Sequence, residues 1–142
     1  MPTVTLRFSP LAEHVRTARL VAVSVARRAG FGEEQLDEIR IAIGEACARA
    51  VAGGALQTPT GPAVGLVDMR LCDDEERLDV TVVQCSADGE PLPDGPGPLA
   101  TADPLSLALM AGMADSSEPS SQSGGVTLSW RLQAETAPVR AF

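Results

Sequence analysis

From Leu11 to Ala52 the apolar residues return every three or four positions along two successive stretches, broken only around Gly30. Leu11, Val15, Ala18, Val21, Val25 and Ala29 mark the first stripe, and Leu36, Ile39, Ile43, Ala46 and Ala50 the second. That period predicts two long amphipathic helices in sequence with no strand between them. A chain that begins this way lacks the strand–helix–strand repeat and the glycine-rich turn of a Rossmann domain. Ser9-Pro10 reads as N-cap and first helical residue of the first helix, since proline has no amide hydrogen to leave unsatisfied there. Gly30 stops it by accepting a left-handed backbone. The second helix is expected from about Glu33 to Ala52, with Glu33, Glu34 and Asp37 at the positive end of its dipole and Gly53-Gly54 ending it.

The remaining periodicity is that of strands. Thr3 to Phe8 alternates Val4, Leu6 and Phe8 against Thr3, Thr5 and Arg7. Val64 to Leu71 and the run Leu78, Val80, Val82 read as a hairpin around a charged tip, Asp73 to Glu76. Ser86 to Pro104 is rich in proline and glycine and reads as a long loop, either a lid or a tolerated excursion. Leu105 to Ala114 predicts a short third helix, Ser116 to Ser123 a turn with a weak strand, and Gly125 to Leu132 a final strand. Helices gathered on one face of such strands make an α+β two-layer sandwich, with a mostly antiparallel mixed sheet and three helices on one face. One domain over residues 1–133 and a tail over 134–142 are expected. Aromatic residues are only 3% of the chain, so aliphatic side chains must build the core, with Trp130 placed in it rather than on a dimer face.

Charge and missing residue types narrow the function. The net charge of −8 argues against nucleic acid, which needs a basic face to release counterions from phosphates. All 11 basic residues are arginine, and the chain has neither lysine nor asparagine. Walker-type phosphate binding, lysine Schiff bases and asparagine metal ligation are therefore excluded. Cys47, Cys72 and Cys85 are odd in number and widely spaced, and His14 stands alone, so neither a disulfide framework nor a metal site is expected. No signal peptide or spanning segment is evident, which places the chain in the cytoplasm, away from membranes.

Several strings, in this order, resemble the bacterial anti-sigma-factor serine kinases of the GHKL (histidine-kinase-like ATPase) superfamily. They are Ala18-Arg19-Leu20-Val21, Ile39-Arg40-Ile41-Ala42-Ile43-Gly44-Glu45-Ala46-Cys47, Leu78-x-Val80-x-Val82, Leu107-Ala108-Leu109-Met110-x-x-Met113-x-Asp115 and Gly125-Val126-Thr127-Leu128. The resemblance covers almost the whole chain, roughly Leu6 to Leu132. The resemblance implies the histidine-kinase-like ATPase fold, ATP and Mg as cofactors, and a homodimer. It also implies two kinds of protein partner, a sigma factor and a STAS-domain anti-anti-sigma factor that the family phosphorylates.

Carried over residue by residue, the family's nucleotide site is altered. Glu45 matches its general base. The following asparagine, which holds Mg, is Arg49, whose guanidinium has no lone pair to offer a cation. Glu45 and Arg49 are expected to pair across one helical turn for about 0.3–0.5 kcal/mol, in preference to a metal-free phosphate contact by Arg49. Gln84 stands where the adenine-reading acid belongs, with Asp88-Gly89 as a shifted version of that box or a simple turn. Pro104 and Ser106 replace amide-bearing glycines, and proline cannot donate. Gly124-Gly125 keep part of the last box. Arg19 matches a partner-contacting arginine, weighed against a solvated one beside Glu13 or Asp37. His14 is expected to be exposed or to cap a helix. The expectation is an anti-sigma-factor-like regulator with weak or absent ATP binding, leaning away from enzyme activity. The alternative is an active ATP/Mg-dependent serine kinase.

Overall fold

The structure, a computed structural model, describes residues 2–56, 65–86, 104–119 and 125–133. The elements are β1 (Thr3–Phe8), α1 (Ala12–Ala29), α2 (Glu33–Leu56), β2 (Leu66–Asp73), β3 (Arg77–Cys85), α3 (Pro104–Met113), β4 (Ser116–Pro119) and β5 (Val126–Arg131). The strands form one five-stranded sheet in the order β1-β2-β3-β5-β4, and each of these ladders is antiparallel. With its three helices this is the expected α+β architecture. Among the described residues no helix is long and apolar enough to cross a membrane.

Register explains the two faces. Val4, Leu6 and Phe8 lie beside Leu71, Met69 and Val67, which lie beside Val80, Val82 and Gln84; Val80 and Val82 in turn meet Leu128 and Val126. Because side chains alternate along a strand, this set shares one face. Met69, Leu71, Val80, Val82 and Leu128 on it are wholly buried, and α1 and α2 pack there. The helices seat through small residues: Ala18, Ala22 and Ala26 of α1, and Ala42, Ala46 and Ala50 of α2, are all buried. Short side chains let backbones approach closely, which is how a chain so poor in rings reaches interior density.

Gly30 caps α1 as expected, with φ 105° and its amide on the carbonyls of Ala26 and Arg27. The helix start differs from expectation. Leu11, extended at φ −116°, is the N-cap, and α1 begins at Ala12 rather than Pro10; the Leu11 amide instead closes a tight turn onto the Ser9 carbonyl at 2.7 Å. α2 also differs, running through Gly53-Gly54 to Leu56. Glycine lowers helix propensity by about 1 kcal/mol, which a helix already packed on a sheet absorbs. β2 starts at Leu66, just after Gly65, whose φ is +132° and where a Cβ would stand 3.0 Å from the Cys85 carbonyl oxygen, so a side chain there is strained. Asp74 organises the hairpin tip by accepting from the amides of Glu76 and Arg77. The weak strand expected after Ser116 is β4. The tail 134–142 lies outside the described residues.

Trp130 is 1% exposed, and its indole N–H donates to the Met113 carbonyl at 2.8 Å, fastening the end of α3 to β5. Trp130→Ala is expected to lower the unfolding free energy by about 3–5 kcal/mol. Trp130→Phe should lose about 1–3 kcal/mol, because the carbonyl then lacks its donor. Urea unfolding followed by circular dichroism measures both, and an unchanged Trp130→Phe would show that the indole N–H contributes nothing.

Candidate functional site

Two places on α2 gather the residues singled out in the sequence. The first lies towards its C-terminal half. Glu45 is half-buried there, and Arg49, one turn on, is 8% exposed. These two form no ion pair; the ion pairs among the described residues are Arg7–Asp68, Arg27–Glu33, Arg40–Asp37 and Arg77–Asp79. The expected helix-face pairing is thus replaced by burial of the guanidinium. Arg49 follows Ala46 and precedes Ala50, both core residues, so the face it shares with them turns inward rather than to solvent.

Gln84, near the end of β3, is 5% exposed and donates its side-chain amide to the Ala50 carbonyl at 2.9 Å. The end of β3 is therefore tied to α2 next to Arg49 in sequence. Ser106, in the first turn of α3, and Gly125, just before β5, are buried as well. Asp88, Gly89 and Gly124 lie outside the described residues.

A magnesium–nucleotide can be tested against these groups directly. A metal ion needs oxygen donors, and position 49 presents a buried cation with donors only. One N–H of the Gln84 amide donates to the Ala50 carbonyl. α3 opens on Pro104, which has no N–H to direct at a phosphate. No group of three His, Cys, Asp or Glu side chains that could hold a metal occurs among the described residues. Among the described residues, then, position 49 offers no oxygen to a metal and Pro104 no amide to a phosphate.

The second place is the groove between α1 and α2. Arg19, half-buried on α1, lies across Gly44 of α2: a Cβ at Gly44 would stand 3.0 Å from Arg19 Cδ and 3.3 Å from Nη1. Glycine is what lets the arginine stem cross the helix. Arg19 is half-buried against α2, and Asp37 bonds to Arg40 at 2.7 Å. A cavity of about 210 Å³ opens here, lined by Arg16, Arg19, Leu20, Val23 and Arg40. Sequence reasoning found only Arg19 in it. The available signal was Gly44, a glycine inside a helical stripe, which usually marks a close approach. His14, expected exposed or capping, is half-buried with its ring edge-to-face on Phe8, centroids 6.2 Å apart.

Next to this groove Cys47 is fully buried, and burial pushes its thiol up to about 12, opposed by the Arg19 charge. The folded state therefore holds this proton more tightly than the unfolded chain, whose thiol has the ordinary value of 9.0. Its contribution to stability is full below that value and is lost as pH rises towards about 12. The stability difference between the wild type and Cys47→Ala is expected to change over that window in urea titrations. A difference constant with pH would refute the burial of this thiol.

Residues 8–132 match the family described as histidine kinase-like ATPase domain. No relative was found among curated proteins. Among solved structures, the crystal structure of the RsbU and RsbW domains of Rv1364c from Mycobacterium tuberculosis is similar, with 16% sequence identity and a TM-score of 0.57. The match covers 92% of this chain and 32% of that one, so the chain spans about a third of that protein's length. At this identity the likeness is one of fold.

Proposed function

The chain belongs to the histidine kinase-like ATPase domain family, and on that footing we propose that it is a regulator acting by protein binding without magnesium–ATP. The partners proposed are those of anti-sigma-factor-like regulators, a STAS-type anti-anti-sigma factor, a sigma factor, or both. The observation that carries this reading is the buried Arg49 beside a Gln84 amide tied to the Ala50 carbonyl. A buried guanidinium opposes a divalent cation, and phosphoryl transfer depends on that cation to neutralise developing charge. The groove on α1 and α2 supports the binding half of the reading. Arg16, Arg19 and Arg40 line it together with Leu20 and Val23, in a chain of net charge −8. Arginines around apolar side chains suit an acidic segment carrying an aliphatic residue.

A serine kinase is the rival reading, and the half-buried Glu45 at the general-base position favours it. Calorimetric titration separates the two. No heat of binding with magnesium–ATP is expected, together with binding of a STAS-domain or sigma-factor partner that Arg19→Glu weakens by about tenfold or more. Tight, magnesium-dependent nucleotide binding, with phosphate transfer to the partner abolished in Glu45→Ala, would overturn the proposal.

A further inference from the structure

The groove between α1 and α2 holds more positive charge than its surroundings use. Arg16 and Arg19 come from α1 and Arg40 from α2, and they line the cavity of about 210 Å³ together with Leu20 and Val23. Among the described residues neither Arg16 nor Arg19 is in an ion pair, although the chain carries 19 acidic residues against 11 basic ones. Glu13, one turn before Arg16, is not paired with it. Arg40 is compensated, by Asp37 at 2.7 Å. Three guanidinium charges against one carboxylate leave a local surplus of about two positive charges.

Two of these groups are held in place before anything binds. The stem of Arg19 lies across Gly44, and Arg40 Nη1 donates to Asp37 Oδ1, which leaves its other N–H groups for a second acceptor. Side chains fixed in this way lose less freedom on binding. At about 210 Å³ the cavity is smaller than the roughly 300–1,000 Å³ of sites for drug-sized ligands, so it suits one compact group. A phosphoryl monoester brings about 1.5 to 2 negative charges and three acceptor oxygens on a single centre. A carboxylate brings one charge, and a second carboxylate in the same space repels the first. Guanidinium forks also match phosphate oxygens two at a time. Leu20 lines the same cavity and is 64% exposed. Free phosphate would leave it in water, whereas a protein segment brings a neighbouring side chain to cover it.

We propose that this groove receives a phosphorylated serine or threonine of a protein partner. Arg16, Arg19 and Arg40 take the phosphoryl oxygens, and Leu20 packs on an aliphatic residue next to the phosphorylated one. A short phosphorylated side chain keeps the partner's backbone close to the groove, so that its neighbours reach Leu20. This rests on the groove being a protein-binding surface, as proposed above, and names the chemistry of what it binds. It is independent of how the nucleotide position is read.

Retention of degenerate peptide libraries on the immobilised full chain tests this, with phosphoserine, glutamate or serine fixed at the central position. The phosphoserine library is expected to be retained about tenfold or more over the glutamate library, with aliphatic residues enriched beside the phosphoserine, and the serine library not at all. Inorganic phosphate should compete only at concentrations about a hundredfold above those of a selected phosphopeptide. Arg16→Ala and Arg19→Ala are each expected to weaken that phosphopeptide about tenfold, and Arg19→Lys to restore only part of the loss. Gly44→Ala keeps every charge but sets a Cβ 3.0 Å from the place of Arg19 Cδ, so it should weaken binding severalfold with the fold intact by circular dichroism. Equal retention of the glutamate and phosphoserine libraries overturns the inference and leaves an acidic segment in the groove standing. Binding unchanged in the arginine variants overturns both. Absence of any retention, or phosphate competing as well as the peptide, overturns the phosphorylated partner. Magnesium–ATP binding found by calorimetry would strike the nucleotide reading alone and leave these outcomes as they are.

Discussion

Close approach of α1 and α2 to the sheet is the constraint on which the rest of this structure depends. The inner face of the central strands is largely apolar and buried, and the helices covering the sheet present alanines at Ala18, Ala22, Ala26, Ala42, Ala46 and Ala50. Interiors must be filled to crystalline density, and small side chains achieve this by drawing backbones together rather than by bulk. With rings so scarce, Trp130 is the large exception, and it sits where α3 meets β5. Each alanine is therefore a positional constraint: a larger residue there would push a helix off the sheet.

That closeness reaches into the candidate site. Because α2 lies tight against β3, the carbonyl of Ala50 comes within hydrogen-bond reach of Gln84. Arg49, one residue before Ala50, is buried. Gly44 of α2 provides the notch across which Arg19 lies, so the arginine groove and the buried Arg49 share one helix. Chemistry and packing are coupled here: residues read as ligand positions in the sequence are partly structural members of the α2–β3 contact.

Polar ties hold the C-terminal end of the sheet in register. The Asp115 amide donates to the Ser129 carbonyl, and its carboxylate accepts from the Arg131 amide at 2.6 Å. Gln35 of α2, 6% exposed, donates to the Arg131 carbonyl at 2.8 Å, and the Leu132 amide donates to Glu76. On the outer face, Ser129 and Arg77 both bond to the Asp79 carboxylate. These polar ties add to the buried Val126, Leu128 and Trp130 in fixing β5 between β3 and β4.

The fold class was legible in the sequence because it follows from local periods. Alternation at Thr3 to Phe8, helical stripes at Leu36, Ile39 and Ile43, and the stop at Gly30 each depend on neighbours a few residues away. That position 49 carries a guanidinium and position 104 a proline was legible too, since these are chemical facts wherever the chain places them. Whether Glu45 pairs with Arg49, what Gln84 bonds to and what Gly44 makes room for depended on contacts between residues far apart in sequence. Helix continuation through Gly53-Gly54 did as well, because packing on a sheet outweighs a propensity difference of about 1 kcal/mol. Local spacing determines which element a residue joins, and the approach of α2 to the sheet decided which of its groups are buried, bonded or left in the groove.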